Sequence, residues 1–91
     1  MFRKYKGINI PYSKQGLIYF ICINIKDMPD NIQQKILNLC IDIGKEDYKA
    51  LYDVLTNCNK SIISISLEHC VSEKKLYKMR KKFYEKFEIV R

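Results

Sequence analysis

The chain has 91 residues, of which 47% are apolar and 30% charged, and it carries a formal net charge of +7. Such a composition fits one folded domain with a modest core and excludes a disordered tail. Only three Gly and two Pro interrupt it, which favours long helices over a sandwich of short strands.

Residues 1–12 read as a basic, aromatic arm with Phe2, Arg3, Lys4, Tyr5 and Lys6, followed by Gly7 and Pro11. The arm is either packed on the domain or left flexible. Residues 13–91 read as a single helical domain. Ser13 suits the cap of a first helix running to about Lys26, with Leu17, Ile18, Phe20, Ile21 and Ile25 apolar nearly all round. A buried strand is the rival reading of this run, because Ile, Tyr and Phe are good strand formers. The run spans nine residues, Leu17 to Ile25, where a membrane helix needs about 20. No small-x-small cleavage site follows and Lys26-Asp27 closes it, so core is expected and neither a membrane span nor a signal peptide.

Asp27-Met28-Pro29-Asp30 marks a break and restart, since Pro suits the first turn of a helix and Asp favours the positive end of its dipole. Ile32, Ile36, Leu37, Leu39, Cys40 and Ile43 then form a helical stripe, with Gly44 as its stop. A further helix is expected from Glu46 to Leu55, with Tyr48, Leu51, Tyr52 and Leu55 inward. Thr56 to Asn59 is a polar connector.

The four cysteines, Cys22, Cys40, Cys58 and Cys70, contain no C-x-x-C pair. No second Cys or His stands at the right spacing to complete a zinc site with His69 and Cys70. Free thiols in a reducing cytoplasm are expected, with no metal and no cofactor.

Charge is distributed unevenly. Residues 1–15 hold four basic groups and no acid, residues 16–71 hold five basic and seven acidic groups, and residues 72–91 hold eight basic and three acidic groups. Positive charge concentrated at the ends is the footprint of a polyanionic partner, although a solvated lysine surface has the same composition.

The segment 61–87 carries the most information. Its pattern predicts a short helix from Ser61 to His69, a tight turn at Cys70-Val71-Ser72 and a long helix from Glu73 to about Phe87. Ser72 is the N-cap. Ile62, Ile65 and His69 point inward, Val71 plugs the turn, and Leu76, Met79 and Phe83 form the inner stripe of the last helix. Ser66 is small where the two helices approach. Seven basic residues fall between Ser72 and Lys86. The whole is expected to be all-α, about five helices with a C-terminal helix-turn-helix at 61–87. In that geometry Ser72, Glu73, Lys74, Tyr77 and Lys78 lie nearest base edges of double-stranded DNA, and Lys75, Arg80, Lys81, Lys82 and Lys86 neutralise phosphates. Glu73 either accepts from a cytosine amino group or favours the helix dipole.

Ile65-Ser66-Leu67-Glu68-His69-Cys70-Val71-Ser72 and Leu76-Tyr77-Lys78-Met79-Arg80-Lys81-Lys82-Phe83 resemble the helix-turn-helix of transposases, recombinases and sigma-factor-like regulators. Cys70 departs from the Gly usual in that turn. With residues 15–57 ahead of it, the chain also resembles small DNA-binding proteins of prophage-like mobile elements. The resemblance implies a cytoplasmic, nucleoid-associated regulator of transcription, or a recombination directionality (excision) factor. Its partners would then be double-stranded DNA and a site-specific recombinase or the transcription machinery, and a homodimer is expected from function, because one recognition helix reads only a few base pairs and paired half-sites supply the rest of the affinity.

Catalysis is not expected. His69 is the only histidine, and 91 residues leave no room for a recombinase catalytic domain beside this module. The alternative class is a protein-interaction module, an anti-repressor or docking subunit that does not touch DNA. RNA binding is the competitor among nucleic acids, through tyrosines stacked on unpaired bases.

Overall fold

In a computed structural model, which describes residues 8 and 10–87, the chain is all-α, with no strand among the described residues. Its helices are α1 (Tyr12–Ile23), α2 (Asp30–Gly44), α3 (Tyr48–Thr56), α4 (Ile62–His69) and α5 (Glu73–Lys86), with 3-10 turns at Ile25–Asp27 and Lys45–Asp47. The expectations for Phe2, Arg3, Lys4, Tyr5 and Lys6 lie outside the described residues.

α1 settles the helix-or-strand question for residues 17–23. Helical spacing puts Gln15, Ile18 and Cys22 on one buried side, and Ile25 continues it into the next turn. Pro11, and not Ser13, precedes the first turn, and no side chain caps it. Anchorage comes instead from Gln15, whose Nε2 donates to the carbonyls of Ile8 at 3.3 Å and Ile10 at 3.1 Å. Ile8 is buried in the core, so the described part of the 1–12 arm packs on the domain.

α2 begins after Pro29 with Asp30 in its first turn, as Pro geometry and the dipole require. Its end differs from expectation. Gly44 is still helical, at φ −85° and ψ −22°, and the positive φ falls on Lys45, at φ 51° and ψ −117°. Gly44 is used for proximity: a Cβ there would lie 3.4 Å from the Tyr48 Cβ and 3.7 Å from the Met79 sulfur. Hence α2, α3 and α5 meet closely at this point.

α3 is the hub, packing on α1, α2, α4 and α5. Ala50, Leu51 and Leu55 form its buried side. The inner side of α5 is wider than a Leu76–Met79–Phe83 stripe, because Tyr84 is also buried and Phe87, just beyond the helix, stacks on Phe83 with ring centroids 5.4 Å apart. No described helix is long and apolar enough to cross a membrane.

Candidate nucleic-acid interface

α4 and α5 are joined by three residues whose conformation follows from their chemistry. Ser61 caps α4, its Oγ accepting from the Ser64 amide at 3.1 Å, and Ser72 caps α5, its Oγ accepting from the Lys75 amide at 3.2 Å. Cys70 adopts the left-handed conformation, φ 56° and ψ 40°. This lets the Val71 amide donate to the Ser66 carbonyl at 3.1 Å, the six-to-one bond that closes a helix end. Ser66 answers with its hydroxyl, Oγ donating to the Val71 carbonyl at 2.6 Å. Val71 and Ile65 are both buried in the same core. Ser66 is therefore more than a small residue at a crossing: it ties the turn from both of its polar groups.

Beyond this turn, Ser72, Glu73, Lys74, Tyr77 and Lys78 are all exposed at the start of α5, and Lys81, Lys82 and Lys86 are exposed further along. At 100° per residue, Lys74, Lys78 and Lys81 share the side opposite Leu76, Met79 and Phe83, Lys82 stands at the flank of that side, and Lys86, seven residues after Met79, falls on the Met79 side beside α2. Among the described residues no carboxylate pairs with any of these five lysines.

Two residues expected on phosphates have other partners. Lys75 pairs with Asp47, from the 3-10 turn before α3, and the carboxylate raises the lysine pKa above its ordinary value. Arg80 is half-buried, with its guanidinium 5.1 Å from the Tyr77 ring centroid, and it lines a cleft with Tyr19, Ile23 and Tyr84. Tyr77 is half-exposed beneath that guanidinium.

A polar network braces α4 on α3. Lys60 Nζ lies 2.8 Å from Glu68 Oε2 and 3.4 Å from Asp53 Oδ2, and these carboxylates raise its pKa, Glu68 most. His69 Nε2 lies 3.2 Å from the same Asp53 oxygen. Asp53, Glu68 and His69 offer ligand atoms within 4.8 Å of one another, a set that spacing along the chain did not reveal because Asp53 is 16 residues from His69. An ammonium already stands between the two carboxylates, so a metal ion would have to displace Lys60. Cys70 takes no part in this cluster.

Comparison with family models, curated proteins and solved structures finds no match to this chain.

Proposed function

We propose that the chain binds double-stranded DNA, with α4, the Cys70–Ser72 turn and α5 acting as a helix-turn-helix. The observation that carries this reading is the lysine face of α5, set on a helix fixed to the core by Leu76, Met79, Phe83 and Tyr84 and entered through a tight, capped turn. A helix so mounted presents its first turns to a major groove and its later lysines to the backbone. Lys74, Tyr77 and Lys78 read base edges, with Ser72 and Glu73 beside them. Lys81, Lys82 and Lys86 neutralise phosphates. Lys75 and Arg80 hold the recognition helix and its tyrosine in place through Asp47 and the Tyr77 ring.

The test is a binding titration at several salt concentrations on cognate and scrambled duplexes. Lys82→Ala or Lys86→Ala weakens binding to all sequences alike and lowers the salt slope by about 0.9 per lost contact. Lys74→Ala, Tyr77→Ala or Lys78→Ala narrows the gap between cognate and scrambled DNA, by about 1–3 kcal/mol where a base contact is lost. Equal behaviour of the two groups, or no duplex affinity at low salt, overturns the assignment.

In this reading the protein is a non-catalytic component of a prophage-like element, either a transcriptional regulator or an excision factor working with a site-specific recombinase. Footprints confined to promoters select the first role and footprints on attachment sites the second. A second reading, a protein-interaction module, draws on Ile63 and Leu67, which stand 59% and 77% exposed on α4. Loss of a protein partner on Leu67→Lys, with no salt-dependent DNA affinity in the wild type, would favour it.

A further inference from the structure

The polar network between α3 and α4 brings one imidazole nitrogen and two carboxylates together. Asp53 comes from α3, and Glu68 and His69 come from the last turn of α4. Their ligand atoms all lie within 4.8 Å of one another. Asp53 Oδ2 and His69 Nε2 are 3.2 Å apart, close to the spacing of about 3.3 Å between two ligands bound about 2.0 Å from a tetrahedral ion. These two side chains are 19% and 27% exposed, so packing has already fixed them. Glu68, at 53%, has room to close on them from the solvent side.

We propose that Asp53, Glu68 and His69 bind a divalent transition-metal ion of the Zn2+ type, which braces α4 on α3. The donor set selects the class of ion. An imidazole suits zinc and its first-row neighbours, whereas Mg2+ and Ca2+ take shells made of oxygen. Three protein ligands leave a fourth position to water, as zinc accepts. Lys60 shows that the spot suits positive charge, since its ammonium stands 2.8 Å from Glu68 and 3.4 Å from Asp53. It is also a weak competitor. Its side chain is 36% exposed, and ion pairs at such exposure hold loosely because water screens them. Zinc brings two charges where the ammonium brings one, and it bonds the imidazole nitrogen as well. On binding, neutral His69 carries its hydrogen on Nδ1 and gives the Nε2 lone pair to the ion, and Lys60 turns into solvent still protonated. The chain spacing of His69 and Cys70 gives no zinc site; the fold makes one by supplying Asp53 from a separate helix. The site is independent of the DNA-binding reading and is tested without DNA.

Zinc chloride titrated into the full chain without a tag, carrying Cys58→Ser and Cys70→Ser so that exposed thiols do not compete, should bind as one ion per chain and raise the thermal midpoint. Magnesium chloride should leave the midpoint where it is. His69 is the only histidine, so nitrogen NMR of the imidazole reads the site without overlap, and zinc should move the Nε2 signal. His69→Gln should weaken zinc binding by more than about 100-fold, because losing even an outer partner of a ligand costs about 10–100-fold. Lys60→Ala should tighten it by about fivefold, the worth of an exposed ion pair; a purely structural network gives no such gain. Lys60→Gln, which removes the charge and keeps most of the length, carries the same expectation should the alanine variant fold poorly. No zinc binding up to millimolar concentration, an unmoved imidazole signal, an affinity indifferent to His69→Gln, or weaker binding in both Lys60 variants overturns the proposal.

Discussion

Two non-glycine residues hold positive φ, and they differ in what they gain from it. Cys70 sits in the left-handed well at the end of α4, where Gly removes the contact between Cβ and the backbone. Cys70→Gly should raise stability by about 1 kcal/mol, read as a shift in urea midpoint at unchanged slope. Lys45, at φ 51° and ψ −117°, lies further from any L-residue well, and Lys45→Gly should stabilise at least as much. Gly44 behaves in the opposite sense. Its φ is ordinary for any residue, and the contacts awaiting a Cβ begin at 3.4 Å, so Gly44→Ala should be tolerated and gain up to about 1 kcal/mol from the stiffer unfolded chain. A midpoint lowered by this change would mean that α2, α3 and α5 cannot give way at their meeting point. Sequence patterning located the stop at this helix end but gave it to the glycine, because a glycine used for close approach and one used for a turn look alike in a single chain.

At the scale of elements, the clearest stretch of sequence was the one with the most local chemistry. Ser61 and Ser72 cap, Val71 plugs and Ser66 closes a loop of five residues, so α4, the turn and the start of α5 follow from near neighbours. Ser72→Ala and Ser66→Ala should each cost about 1 kcal/mol, read as a lowered midpoint in chemical denaturation. Features resting on distant partners were not legible. Asp47 reaches Lys75 across 28 residues, and no spacing rule announces such a pair. Tyr84 was missed because it adjoins Phe83 and broadens the inner stripe beyond every third or fourth residue, as happens when a helix lies in a crowded corner between neighbours. α1 read ambiguously because it is apolar around most of its circumference, which erases the 3.6-residue period that distinguishes helix from strand.

The molecule as a whole should lose stability in base. Burial pushes the Cys22 and Cys40 thiols up to about 12 from 9.0, and carboxylate partners raise Lys60 and Lys75 above 10.5. Each raised pKa means that the folded chain holds its proton more tightly than the unfolded chain. The corresponding stability is therefore complete below about pH 9 and is lost as pH climbs toward 12, the thiols contributing first. Thermal melts from pH 7 to 11 should show a midpoint that falls above pH 9. A flat profile would contradict the burial of the two thiols. The same burial predicts that a thiol reagent near neutral pH modifies exposed Cys58 and Cys70 and reaches Cys22 and Cys40 only on unfolding. The bond from Gln15 to the carbonyls of Ile8 and Ile10 bears on how the chain can be shortened. Truncation before Tyr12 would leave a core amide short of two acceptors, at a cost of about 1–3 kcal/mol, and would uncover the Ile8 site. A tag or fusion partner should accordingly be joined ahead of Ile8, and a protease that trims beyond it should release a product that melts at lower temperature.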